Sequence, residues 1–146
     1  MELSGLLKRG SDLWLNTPKM FREASGTSGM TAAMNGSINL SIPDGWIPEF
    51  SKHGKNCFII SPAEADDASE QDRIENDNLL TLLENEIVPM YYKKPKQWMA
   101  VVKQSIEDVV PAFDSNRMAR EYYEKLYAAT ESGKAKSNKA KELEVI

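Results

Sequence analysis

The residues best placed to do chemistry lie in one short stretch, Glu23-Ala24-Ser25-Gly26-Thr27-Ser28-Gly29, which runs on through Met30-Thr31-Ala32-Ala33-Met34-Asn35. It sets a carboxylate just ahead of a glycine-containing loop that opens a helix. Backbone N–H groups at a helix start face outward without intrahelical acceptors, and the helix dipole favours an anion there. Gly26 and Gly29 allow close approach and left-handed backbone. Glu23, at the mouth of the loop, is suited to accept hydrogen bonds from hydroxyls. The pattern reads as an anion-plus-polyol site; it reads equally as an ordinary strand-to-helix turn capped by a serine. Elsewhere the candidates are weaker. Trp46 suits either a sugar-stacking surface or a plug at the domain edge, and Asp44-Gly45 is first a turn signal. Cys57 reads as a small buried hydrophobe and His53 as a loop residue.

The surrounding pattern supplies the elements that would hold this stretch. Leu3, Leu6 and Leu7 share one face of a short helix closed by Gly10. Asp12–Asn16 reads as a short buried strand with Trp14 in the core, followed by a loop over Thr17–Glu23. Met30–Asn35 reads as a helix with Ser28 as its N-cap and Gly36 at its end. Ser37–Ile42 alternates as a second strand. An ordered loop follows around Trp46, and Cys57–Ile60 is a third strand. Strand, glycine turn, helix, strand is the βαβ unit of a parallel sheet, which makes the fold class α/β. Beyond an acidic loop over 63–72, apolar spacing predicts three helices. The first runs from Asp72 to Tyr92, broken near Pro89; the second carries Trp98, Val101 and Val109 and ends before Pro111. The third is capped by Asp114 or Ser115 and turns Met118, Tyr122 and Leu126 inward. Residues 131–146 read as a flexible charged tail after a domain over 1–130.

Composition narrows the classes. The chain has 146 residues, 18 Lys+Arg against 22 Asp+Glu, and a formal net charge of -4. That balance argues against nucleic-acid binding, which needs a basic face. No apolar run approaches the roughly 20 residues of a membrane span, so no membrane insertion is expected. The N-terminal residues carry no secretory signal pattern, and one cysteine suits a reducing compartment, so a cytoplasmic location is expected. One cysteine and one histidine leave no Cys/His zinc set, and the acids of 63–72 lack the spacing of a cation site, so no metal is expected.

Glu23 to Asn35 closely resembles the cofactor-attachment signature of the glycogen and α-glucan phosphorylases, retaining glycosyltransferases built from two Rossmann-like domains. Asp12-Leu13-Trp14-Leu15-Asn16-Thr17-Pro18 before it, and Asn35-Gly36 through Asp44-Gly45-Trp46 after it, resemble the flanking segments in the short bacterial members. Glu86-Ile87-Val88-Pro89 with Tyr91-Tyr92, and Phe113-Asp114-Ser115-Asn116-Arg117-Met118 with Glu121-Tyr122, resemble the late helices. The match runs in order over about residues 2 to 127. It implies that the chain is the C-terminal part of the second domain, whose partner N-terminal domain is missing here. It further implies that Glu23 bonds hydroxyls of a glucosyl unit, that Ser25 and Gly26 touch the same sugar through backbone, and that Thr27 and Ser28 face phosphate. The implied partners are α-1,4-glucan and phosphate or a sugar phosphate.

One position departs from the family pattern. The family tethers pyridoxal phosphate through a lysine, and the matching residue here is Thr31, which has no amine with which to form a Schiff base. Three readings stay open: a phosphorylase relative without its tether, a transferase using a sugar nucleotide, and a non-catalytic carbohydrate- or partner-binding relative. The isolated chain is expected to be inactive, and no catalytic residue is assigned.

Overall fold

A computed structural model describes residues 2–128, in two compact units divided between Val110 and Pro111. The expected tail over 131–146 lies outside the described residues.

The first unit opens with helix α1 (Glu2–Gly10) and strand β1 (Leu13–Asn16), then α2 (Thr27–Met34), β2 (Ile38–Ser41), a single helical turn α3 (Ile47–Phe50) and β3 (Phe58–Ile59). The strands form one parallel sheet in the order β1-β2-β3, with Leu13 opposite Ile38 and Leu40 opposite Phe58. This is the expected α/β unit.

β2 is central and buried along its whole length. Its polar–apolar alternation therefore marks two covered faces, not one wet and one dry. Ile38, Leu40 and Ile42 join Phe58, Ile60, Leu82, Ile87, Trp98 and Val101 in the main core. On the other face, the Asn39 Nδ2 amide donates to the Gly29 carbonyl at 3.1 Å, and α2 buries only Gly29, Ala32 and Ala33. Small side chains let this helix lie close to the sheet.

α2 ends as its sequence predicts. Gly36 has φ +88°, its N–H donates to Ala33 O, and the Ser37 N–H donates to Ala32 O. This paired closure satisfies the last carbonyls and requires left-handed backbone at Gly36. The start differs from expectation. The helix begins at Thr27 with Gly26 as N-cap at φ +89°, and no side chain caps it. Ser28 is therefore inside the helix and not its cap, because the left-handed turn at Gly26 already redirects the chain.

β1 is an edge strand, not the buried strand expected: Leu15 is 52% exposed. Trp14 is half-buried, beside the Lys8 ammonium, where an edge position leaves one side of the ring uncovered. The segment around Trp46 is not all loop, since Pro48 sits within the first turn of α3, where its missing N–H costs nothing.

α4 (Ala68–Leu82) starts four residues before Asp72, since Asp67 Oδ2 accepts the Glu70 N–H at 2.9 Å as its cap. A widened π-helical turn, Leu83–Ile87, leads into α5 (Val88–Lys93). Pro89 cannot donate to the Asn85 carbonyl and its ring crowds that turn, so the helix divides there as expected. α6 (Pro95–Phe113) runs through Pro111, contrary to expectation. The proline falls in the last turn, where few bonds remain to be lost.

Trp98 ties these helices to the sheet, stacking on Phe58 with centroids 6.4 Å apart and meeting the Tyr91 ring edge-on at 5.0 Å. The Tyr91 hydroxyl donates to Asp12 Oδ2 at 3.1 Å, and that carboxylate pushes the phenol's pKa up.

In the second unit, α7 (Ser115–Tyr122) follows N-cap Asp114 and passes into a π-helical turn, Tyr123–Tyr127. Glu121 pairs with Arg117 and Lys125 one turn to either side. Met118, Tyr122 and Leu126 are about half exposed and not turned into a core as expected. The charged residues Arg117, Glu121 and Lys125 form one stripe along the helix, and the apolar spacing of the stripe beside it does not by itself supply a surface to cover it.

Replacing Trp98 by alanine removes the ring that Phe58 and Tyr91 both contact. Urea unfolding of Trp98→Ala is expected to show a loss of about 3–5 kcal/mol.

Candidate functional site

The loop after β1 leaves the carboxyl end of the sheet, the side on which open α/β folds bind ligands. At that end a cavity of about 270 Å³ is bounded by Thr17, Ile42 and Ile60, the residues that follow the three strands, together with Lys19, Asp72 and Glu75. Neither this cavity nor a roomier one of about 660 Å³, lined by Lys52, Lys55, Met90, Gln97 and Gln104, includes any of the predicted site residues.

The loop is shaped by a residue that sequence reasoning left as a turn signal. Asp44 is buried. Its Oδ2 accepts the N–H groups of Arg22 and Glu23, both at 3.0 Å, and its Oδ1 accepts the Gly45 N–H at 2.8 Å. The Glu23 N–H leads the interactions that hold this carboxyl below the usual aspartate range; burial opposes them, and the amides of Gly45, Arg22 and Phe21 add to them. The next contact in the clasp is the Trp46 N–H on the Ser25 carbonyl at 2.9 Å. Gly45, at φ +58°, has room for no side chain, because a Cβ would stand 2.6 Å from Ser25 O and 2.9 Å from Glu23 Cγ.

Trp46 supports the same loop from below. It is 2% exposed and stacks on Phe50 with ring centroids 4.3 Å apart and planes 9° from parallel. Of the two roles open to it, the plug is the one observed. A Cβ at Gly29 would lie 2.7 Å from Asn39 Oδ1 and 3.0 Å from Trp46 Nε1. The second glycine of the motif thus serves helix–sheet packing, which the sequence reading did not assign to it.

The predicted residues lie together on one continuous loop and helix start. Glu23 and Gly26 are half-buried, and Ser25, Thr27 and Ser28 are exposed. The amides of Thr27 and Ser28 precede the first acceptor within the helix. Thr31 is exposed one turn further on, its Oγ1 donating to Thr27 O at 2.8 Å. That hydroxyl is closed on its own helix and carries no amine, so the residue does not fit a tethered pyridoxal phosphate.

The other candidates lie elsewhere. His53 Nδ1 accepts the Ile59 N–H at 3.0 Å and its Nε2 meets Glu86 Oε2 at 3.3 Å, so its ring is engaged by β3 and the π-helical turn. Cys57 is buried, which pushes its thiol up to about 11 and makes it a poor nucleophile. Among the described residues no group of three His, Cys, Asp or Glu side chains could hold a metal ion, and no helix is long and apolar enough to cross a membrane.

The characterised proteins that this chain resembles are glycogen and maltodextrin phosphorylases. A maltodextrin phosphorylase of Thermococcus litoralis is 43% identical over 120 residues, 82% of this chain and 14% of that protein. A glycogen phosphorylase of Aquifex aeolicus is 38% identical over 131 residues, 86% of this chain and 18% of that protein. An uncharacterised protein of Methanocaldococcus jannaschii is 44% identical over 128 residues, 87% of this chain and 23% of that protein. The chain therefore spans less than a quarter of the length of these curated relatives. No protein-family model matches it.

The Asp44 clasp has a pH signature. Its folded pKa is depressed, so its contribution is complete above the unfolded value of about 3.9 and is lost as pH falls through the lower folded value. Asp44→Asn is expected to lower stability by about 1–3 kcal/mol at neutral pH. Urea titrations from pH 7 downward should show a shallower acid-side fall for the variant than for the parent.

Proposed function

Since the chain belongs to the glycogen and maltodextrin phosphorylase family, we propose that it forms one wall of a glucosyl-transfer site. In the transfer proposed, a glucosyl unit passes between the non-reducing end of an α-1,4-glucan and phosphate, with retention at the anomeric carbon. The clasped loop is the observation that carries this reading: a buried carboxylate holds the backbone of Arg22 and Glu23, so the donors and acceptors beyond it need no rearrangement when substrate arrives.

Within that site Glu23 accepts hydrogen bonds from hydroxyls of the donor sugar, and the backbone of Ser25 and Gly26 abuts the same ring. The amides and hydroxyls of Thr27 and Ser28, at the positive end of α2, receive the phosphate oxygens. Fixed dipoles of this kind stabilise charge as the glycosidic bond breaks. The side chains that grip phosphate from the opposite wall would come from the N-terminal domain of a longer polypeptide, in a cytoplasmic enzyme. The 146-residue chain is proposed to bind sugar without transferring it.

Thr31 favours a second reading for the anionic partner. Without the lysine tether, a sugar nucleotide or an untethered anion takes the place in front of α2, and no step is routed through pyridoxal phosphate. A relative that binds glucan without catalysis differs only in giving no turnover with any donor.

Two experiments test the reading. In a polypeptide that includes the opposite wall, Glu23→Gln should cut glucosyl transfer from α-glucan to phosphate by about a hundredfold or more, with the circular dichroism spectrum unchanged; an unaltered rate sinks the proposal. The same assay with sugar-nucleotide donors separates the two anionic partners. In the chain itself, Thr31→Lys treated with pyridoxal phosphate and borohydride should gain a pyridoxyl adduct that peptide mapping places at residue 31. Labelling no greater there than at other lysines would show that α2 does not have the family's cofactor geometry.

A further inference from the structure

Phe21 combines two features that rarely occur together. It is the one non-glycine residue among those described with left-handed backbone, at φ +64°, and its ring is 86% exposed. The Arg22 N–H donates to Lys19 O at 3.0 Å, so residues 19–22 form a β-turn with Phe21 at its third position. Positive φ at that position alone is the type II arrangement, which favours glycine or asparagine. A bulky side chain there is a true outlier. The conformation is imposed from outside the turn, because Asp44 holds the next two amides, Arg22 and Glu23. Burial does not offset the strain, since the ring stands in the open.

Strain of this sort persists where the surroundings over-determine it, and it points to a use for the side chain. Phe21 and Glu23 are two residues apart, so their Cα atoms lie within about 7 Å. We propose that Phe21 is a stacking platform for a glucosyl ring of the α-glucan, next to the unit whose hydroxyls Glu23 holds. The inference rests on the family reading above and adds a residue to it. The C–H face of a pyranose is apolar and slightly electropositive, which suits the negative face of an aromatic ring. A carboxylate for hydroxyls and an aromatic face for C–H groups together provide for both kinds of surface that a glucan presents.

The test uses the isotope-labelled chain titrated with maltotetraose and followed by nuclear magnetic resonance. The Phe21 ring signals are expected to shift. Phe21→Ala should weaken binding by about 5–10-fold, and Phe21→Trp should restore it. Phe21→Gly should lose the same affinity yet melt a few degrees higher, because glycine removes the strain. If Phe21→Ala binds as the parent does while Glu23→Gln binds less well, the platform is wrong and the family reading stands. If maltotetraose shifts neither residue, both fall. If Phe21→Gly melts lower, the ring stabilises the chain itself by packing on it, and the platform is overturned.

Discussion

The loop that carries the candidate site depends on one buried carboxylate. A lone aspartate under the chain would be costly to desolvate, yet Asp44 receives amides from two separated segments, Arg22–Glu23 and Gly45. Hydrogen bonds to a charged acceptor are worth more than neutral ones, and an unpaired buried charge is penalised severely. The two segments are therefore held to each other by mutual need. If the Arg22–Glu23 backbone lifts, Asp44 is left without two of its donors; if the 43–46 turn shifts, the amides lose their acceptor. The backbone of Glu23 is thereby tied to the end of β2, although some twenty residues separate them.

The same constraint explains why glycine is needed at Gly45 and small residues along α2. With the loop drawn down on the Asp44–Trp46 turn, Ser25 O and Glu23 Cγ occupy the space a Cβ at Gly45 would need. Trp46 then fills the volume below Gly26 and Gly29, and Asn39 reaches the Gly29 carbonyl from β2. Carboxylate, indole and amide thus form one continuous support below the loop. The groups with chemistry to offer on this loop are the Glu23 carboxylate, whose stem passes Gly45 and Gly26, the first amides of α2 and the hydroxyls of Thr27 and Ser28. Fixed donors of this kind are effective because their reorganisation is completed during folding.

Much of this was legible in the sequence, and the rest was hidden for identifiable reasons. The βαβ order, the glycine closure after α2 and the break at Pro89 follow from local rules that need no partner. The roles of Asp44 and Gly29 do not, since both arise from contacts 10 to 22 residues away. An Asp-Gly pair announces a turn and is silent about which amides the carboxylate collects. Burial was misjudged at β1 and α7 because apolar content does not say whether a strand is central or at an edge. It equally does not say whether a helix face has found anything to cover it. Polar residues on β2 concealed the opposite fact, that Asn39 and Ser41 are fully buried, Asn39 against the Gly29 carbonyl of α2.

Thr31 is best understood against this support. Its side chain lies on the exposed face of α2, opposite Gly29, Ala32 and Ala33, and its hydroxyl is satisfied by Thr27 O. Exchange between lysine and threonine at this place therefore alters the chemistry in front of the helix while leaving the clasp, the indole and the helix–sheet contact intact. The loop proposed to hold sugar and the position of the family's cofactor tether are separable by construction: the first is braced by the sheet, and the second is a side chain on the exposed face of the helix. That separation allows the Glu23–Ser28 geometry to persist in a chain whose residue 31 cannot hold pyridoxal phosphate covalently.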